Sequence, residues 1–282
     1  MTTETVVEPR SERVAHIHMH KVGYANRIIK KRRCKRRNSK SFEGEVPMVL
    51  QQLYLSCKEV FKGHGIVPSP HDVERLRHLL DKMKPEDVGL SSEMRFFKPK
   101  PAIECTPRVS TATIYKCDKF SLCIFFLPAT AVIPLHNHPE MTVFSKLLLG
   151  TMQIKSYDLV SPPSADEPVQ SSNLRLAKLV TDSVFEAPCD TSVLYPTTGG
   201  NIHQFTAITP CAVLDVLGPP YSKEDGRDGS YYKDHPYNAF ANGEMKLIKE
   251  DGESYGWLEE IEMPENSKMD GIVYLGPQII ER

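Results

Sequence analysis

The sequence predicts a mainly β protein, an antiparallel barrel or jelly roll with α-helices packed outside it. After Phe96 the chain breaks into short runs of β-forming residues at roughly ten-residue spacing, the rhythm of such folds. Before Phe96 the apolar residues recur at steps of three and four, the period of a helix with one buried face. A hydrophobic content of 40% in 282 residues is enough to bury a sizeable core.

From the N-terminus, residues 1–43 are polar and lack apolar periodicity. They are expected to form a mobile tail ahead of one domain over residues 44–282. Residues 1–40 carry 12 Lys and Arg against three Glu, or +9, so a net charge of −1 leaves −10 on the remainder. Within the tail, KKRRCKRR at Lys30 to Arg37 resembles a nuclear localisation or nucleic-acid patch; a solvated arm is the plainer reading. His16, His18 and His20 have chelating side chains, but a flexible arm offers a metal no fixed geometry. Glu4 and Glu8 and the lack of an apolar run exclude a secretory core there, and no targeting cleavage is expected.

Between Val46 and Phe61 the residues Val49, Leu50, Leu53, Tyr54, Cys57, Val60 and Phe61 make one helical stripe, ended by Gly63 and Gly65. Ser69 offers an N-cap, Pro70 suits the first helical position and Asp72 the first turn. Val73, Leu76, Leu79 and Leu80 then carry a second helix to about Met83, with a short turn near Pro85 to Val88. These helices read as a scaffold.

The β-rich runs are 112–117, 120–127, 131–135, 142–149, 151–159, 174–181, 192–195, 203–208 and 212–217. Residues 161–173 form a Ser-, Pro- and Asp-rich loop, and 219–245 are rich in Gly, Asp and Tyr with little period. Met245 to Arg282 alternates enough to add one or two edge strands.

The most apolar stretch, Cys123 to Leu135, is broken by Pro128, Thr130 and Pro134 and is far shorter than the roughly 20 residues of a membrane helix. No membrane association is expected. The seven cysteines are an odd set without CxxC pairs, which fits a reducing compartment better than a disulfide framework or zinc finger.

His136 and His138 stand two apart at a strand exit, so in extended backbone both imidazoles leave one face. Pro134 and Pro139 favour extended backbone at the residues before them. Alone, HxH is a weak signal. It gains weight from Pro196-Thr-Thr-Gly-Gly-Asn-Ile-His203, a turn that delivers a third histidine to a strand. Together they resemble the two motifs of the cupin superfamily, which converge inside a small double-stranded β-helix. Pro196, Gly199 and His203 fit the second motif, and Gly150 the glycine that closes the first.

The first cupin motif ordinarily supplies a glutamate ligand where this chain has Val143, and Glu140 lies too near in sequence to replace it comfortably. Three imidazoles form a neutral set, so Fe²⁺ would keep its double charge and three open octahedral positions, which suits a thiolate and dioxygen together. Zinc competes, since three histidines also hold catalytic zinc.

With these features, the runs IPLHNHPEMTVFSKLLLG and DVLGPPYS resemble the plant cysteine oxidases, plant relatives of cysteamine dioxygenase, over about residues 45–280. The resemblance implies an iron(II) dioxygenase that uses O2 to convert the N-terminal cysteine of proteins to the sulfinic acid. It implies group VII ethylene response transcription factors as substrates, feeding the N-degron pathway as an oxygen sensor in hypoxia. With the basic run and the cysteine usage, a location in nucleus and cytoplasm is expected. A monomer without direct nucleic-acid binding is expected. Asp215 interrupts an apolar strand and lies by the metal pocket in that family, where it could orient a donor or meet the substrate's α-ammonium. Tyr221 could donate a hydrogen bond to oxygen or sulfur there, or simply pack on the Pro-Pro turn. Cys189 and Cys211 read as structural thiols, and Phe144, Tyr195 and Phe205 as barrel core. Two other functions fit: a small-thiol dioxygenase for cysteamine or cysteine, and a non-enzymatic metal-binding nuclear cupin module.

Overall fold

The first helix, α1 (Met48–Val60), buries Leu50, Leu53, Tyr54, Cys57 and Val60, the expected stripe. α2 (Pro70–Lys82) starts as its cap residues dictate: Ser69 is extended and its hydroxyl accepts the Asp72 amide at 3.2 Å. Pro85–Val88 forms a 3-10 turn. These come from a computed structural model that describes residues 47–98, 107–160, 173–239 and 254–281. The basic tail, the tail histidines and most of the 161–173 loop lie outside the described residues. No described helix is long and apolar enough to cross a membrane.

The described strands are β1 (Ser110–Lys116), β2 (Ser121–Leu127), β3 (Val132–His136), β4 (Thr142–Leu149), β5 (Thr151–Leu159), β6 (Leu174–Glu186), β7 (Ser192–Leu194), β8 (Ile202–Ala207), β9 (Cys211–Gly218), β10 (Tyr231–Pro236), β11 (Tyr255–Ile261) and β12 (Asp270–Ile272). One sheet runs β12-β1-β2-β9-β4-β7; the other runs β10-β11-β6-β5-β8-β3 and closes where Tyr231 meets His136. The first nine strands thus form two facing sheets, β1-β2-β9-β4-β7 and β3-β8-β5-β6. That is the jelly-roll order, the double-stranded β-helix of a mainly β fold.

Period two decides which way each side chain points. Leu122, Ile124, Phe126, Ala212, Leu214 and Val216 leave the first sheet toward α1 and α2. Their neighbours Leu127, Cys211 and Val213 face inward, onto Ile133, Met152 and Phe205 of the other sheet. Cys123, Val143 and Leu217 line the same interior nearer its mouth, with Met141 and Leu194. Of the expected barrel aromatics, Phe205 is inside. Phe144 and Tyr195 instead face the helices, where Phe144 meets Phe61 edge-on at 6.4 Å.

Three strands depart from expectation. β10 lies in a segment read as aperiodic; Tyr231 and Tyr232 are adjacent and polar residues follow, so no alternation shows. β11 is not an edge strand but pairs with both β10 and β6, which leaves β12 as the edge, parallel to β1. β6 runs to Glu186 rather than Thr181, because β5 pairs with its largely exposed far half. Leu135, Tyr157, Ala177, Ile202, Tyr232 and Leu258 form a second small core on the outer face of this sheet.

Candidate metal centre

A β-bulge prepares the first ligand. Pairing of β3 with β8 slips between Ile133 and His136. Ile133 faces the interior and Leu135 the second core; the slip returns His136 inward, opposite His203. Re-aiming a side chain is what bulges beside functional sites do. His138 follows just past the strand. The ring centroids lie 4.8 Å apart for His136 and His138, 5.0 Å for His136 and His203, and 4.6 Å for His138 and His203. One ring nitrogen from each lies within 4.8 Å of the other two.

Two of the rings are also held in a tautomer that favours a cation. His136 Nδ1 meets the Pro134 carbonyl at 2.8 Å, and His138 Nδ1 meets the Asn201 carbonyl at 2.8 Å. A carbonyl only accepts, so each Nδ1 carries the proton and each Nε2 keeps its lone pair. Burial holds all three rings below the ordinary imidazole range, His138 down to about 3, with His136 beside it adding to the effect. Neutral imidazole is the ligand form. The Phe205 ring stacks on His203 at 4.3 Å.

The turn before His203 is fixed by groups the sequence reading missed. Gly199 and Gly200 both have left-handed backbone, φ 80° and 82°. Their amides and that of Asn201 converge on the Asp158 carboxylate at 2.9, 2.8 and 3.0 Å. Successive amides curled around an oxyanion in this way form a backbone nest. A Cβ on Gly200 would sit 2.5 Å from Ser156 Oγ. The Asn201 side chain then grips His138, accepting from its amide at 3.1 Å and donating to its carbonyl at 3.0 Å. The trace in the sequence was a second glycine and an amide beside the third histidine.

Val143 is buried against Leu217 and Leu194, so an aliphatic group fills the place of the usual carboxylate. Glu140 turns outward from a left-handed backbone (φ 57°), and its half-exposed carboxylate meets His64 at 2.5 Å. Asp215 lies inside, opposite Cys123 on β2 and Ser145 on β4. It is 4% exposed and one carboxylate oxygen has no partner. Burial raises its carboxyl to about 7 against the pull of a Ser145 hydrogen bond. Tyr221 packs its ring 5.8 Å from His138 and donates its hydroxyl to the Asn137 carbonyl at 2.8 Å. Burial pushes the Cys211 thiol up to about 11 and raises that of Cys189. Both stay protonated and poorly nucleophilic.

Three neutral, preoriented nitrogen donors fit a divalent transition metal, and they leave coordination positions for reactants. Among the described residues these three histidines form the cluster with metal-ligand spacing, and no carboxylate or thiol joins it.

Known proteins share much of this sequence. A family model described as PCO_ADO matches residues 79–279. Plant cysteine oxidase 2 of Arabidopsis thaliana is 49% identical over 91% of both chains. Plant cysteine oxidase 1 of the same plant is 48% identical, over 82% of this chain and 80% of that one. The 2-aminoethanethiol dioxygenase of Mus musculus is 30% identical over 75% of this chain and 86% of its own. Among solved structures, an RmlC-like cupin from Desulfovibrio desulfuricans covers 44% of this chain and 97% of its own. Its identity is 19% and its TM-score 0.28, a likeness too distant to add to the strand order.

Proposed function

Since the chain belongs to the PCO_ADO family and is a thiol dioxygenase by that membership, we propose that it oxidises the N-terminal cysteine of protein substrates. His136, His138 and His203 hold Fe²⁺ in this reading. The metal would bring thiol and O2 together and activate them for reaction. The balance closes without another reductant: R–SH and O2 give R–SO2H, sulfur being oxidised and both oxygen atoms ending on it.

The observation that carries the substrate class is Asp215. A buried carboxylate with a free oxygen, on the interior surface that Tyr221 and Cys123 share, suits an α-ammonium. Free cysteine would also bring a carboxylate needing a cation. Among the described residues the buried cations are Lys146 and Arg227. Lys146 donates to the Cys189 carbonyl and lies 3.7 Å from Asp81, while Arg227 is committed to Pro220 and Asp225. An aminothiol without a free carboxylate fits best: an N-terminal cysteine, whose carboxyl is a peptide bond, or cysteamine. The higher identity to proteins named cysteine oxidases than to a 2-aminoethanethiol dioxygenase favours a cysteine over cysteamine. A charge of −10 outside the first 40 residues, which attracts basic tails, favours the protein terminus.

In this proposal the substrates are the group VII ethylene response factors that the sequence resemblance implies, with the sulfinic product entering the N-degron pathway and turnover reporting oxygen. The Lys30 to Arg37 run supports a nuclear as well as cytoplasmic location. The test is the mass of a cysteine-initiated peptide after aerobic incubation with iron-loaded protein, beside cysteamine and cysteine. A gain of two oxygens on the peptide supports the reading; turnover of cysteamine alone replaces it with the small-thiol enzyme.

A further inference from the structure

The residue between the two leading histidines is gripped by one turn. Asn137 donates its amide to the Ser230 carbonyl at 3.1 Å, and its side-chain oxygen accepts the Ser230 amide at 2.7 Å. Its own carbonyl accepts the Tyr221 hydroxyl at 2.8 Å. Tyr221 and Ser230 lie near the two ends of the connection from β9 to β10, which begins with Pro219 and Pro220. Those ends touch, since a Cβ on Gly229 would lie 3.1 Å from the Tyr221 ring.

Inside the turn lies Arg227, 4% exposed. Its Nη1 donates to the Pro220 carbonyl, next to Tyr221, and its Nη2 to Asp225 at 2.9 Å. Its backbone pairs with Ser222 in both directions, at 2.8 and 3.1 Å. The Asp225 carboxylate is more than half exposed, and Arg227 Nε is buried without a partner. An apolar side chain would fill this turn without the desolvation cost of a guanidinium, so the charge is not explained by stability. What it adds is direction: a planar fork fixes the Pro220 carbonyl where a flexible stem would not.

We propose that Arg227 is a positioning residue of the metal centre, acting through Tyr221 on Asn137 and so on the placement of His136 and His138. The inference rests on reading the three histidines as iron ligands, and it is independent of which thiol is oxidised. The test is ferrous-iron affinity, measured anaerobically without thiol by competition with a chelator, in wild type, R227M, R227K, Y221F and the two double variants. Urea unfolding checks that each is folded. R227M is expected to weaken iron binding by about 10–100-fold, the range for groups that orient a ligand from behind. R227K, with one ammonium for two acceptors, should lie between R227M and wild type. In the Y221F background either substitution should add less than about threefold, because the route is already cut. Wild-type affinity in R227M overturns the proposal, as does a loss that multiplies undiminished onto Y221F. If R227M does not fold, R227K with its Y221F double decides by the same two criteria. A wild-type protein that does not bind ferrous iron refutes the metal-centre reading itself.

Discussion

Replacing Asp215 with asparagine removes a charge that the interior cannot solvate, and the consequence depends on pH. The folded carboxyl titrates at about 7 against an ordinary 3.8, because burial outweighs the Ser145 hydrogen bond. The folded value is the higher one, so the folded state holds the proton more tightly. The associated stability is complete below 3.8 and is lost as pH rises to about 7. At about 1.4 kcal/mol for each tenfold change in proton affinity, the full loss is about 4 kcal/mol, and about 3 kcal/mol of it falls above pH 5. An asparagine side chain does not titrate, so D215N should gain about 3 kcal/mol on wild type between about pH 5 and about pH 8. The three buried histidines work in the opposite sense, losing stability as pH falls below 6.5. They are common to both proteins and cancel in the difference. Urea unfolding at intervals across this range, with a chelator present so that metal binding adds nothing by mass action, measures it. A difference between the proteins that stays flat to within about 0.5 kcal/mol would refute the buried-carboxylate account. The same variant, assayed on an aminothiol, should lose about 10–100-fold in kcat/KM if the carboxylate meets the ammonium.

Three further outcomes follow from the geometry. His138→Ala removes a ligand and the anchor for the Asn201 carbonyl, and metal analysis should show iron falling from stoichiometric to background in a protein that still folds. Gly200→Ala puts a Cβ against Ser156 Oγ at a left-handed backbone; denaturant unfolding should show a loss of about 2 kcal/mol, with weakened iron binding because the turn to His203 must shift. Ser69→Ala deletes the cap on the Asp72 amide; stability should fall by about 1 kcal/mol while iron content and turnover stay unchanged, since α2 packs against α1 and the outer side of the first sheet, in a core that the three histidines do not join.

How far the site could be read from sequence depended on whether a residue acts through its own neighbours in the chain. The strands 142–149 and 151–159 have the bounds expected of them, since Gly150 between them, at φ 94°, is the turn and both runs pair along their length. His136, His138 and His203 were visible because proline and glycine flank them at fixed offsets. Asp158 was not. It holds the turn of His203 from 41 to 43 residues away, and nothing in the run TMQIKSYDL marks its carboxylate as a receiver of three amides. The bulge around Pro134 was hidden for a related reason. In a regular strand Ile133 and Leu135 would share one face and His136 would take the other. The slip in pairing instead puts Ile133 and His136 on the interior face and Leu135 outside it, and only the partner strand β8 specifies that slip.

That same dependence on distant partners explains why Arg227 and Asn137 carry no signature. Asn137 looks like a spacer between two ligands, and Arg227 like one more charge in a polar turn, until the fold sets the turn after β9 against the exit of β3. The metal site is therefore specified twice. Short-range motifs choose the donors, and long-range hydrogen bonds from Asp158, Asn201 and Tyr221 fix the backbone that carries them. Substitutions in the second set should leave the donors present but misplaced, lowering metal affinity more than fold stability, the pattern expected when supporting groups orient a ligand they do not replace.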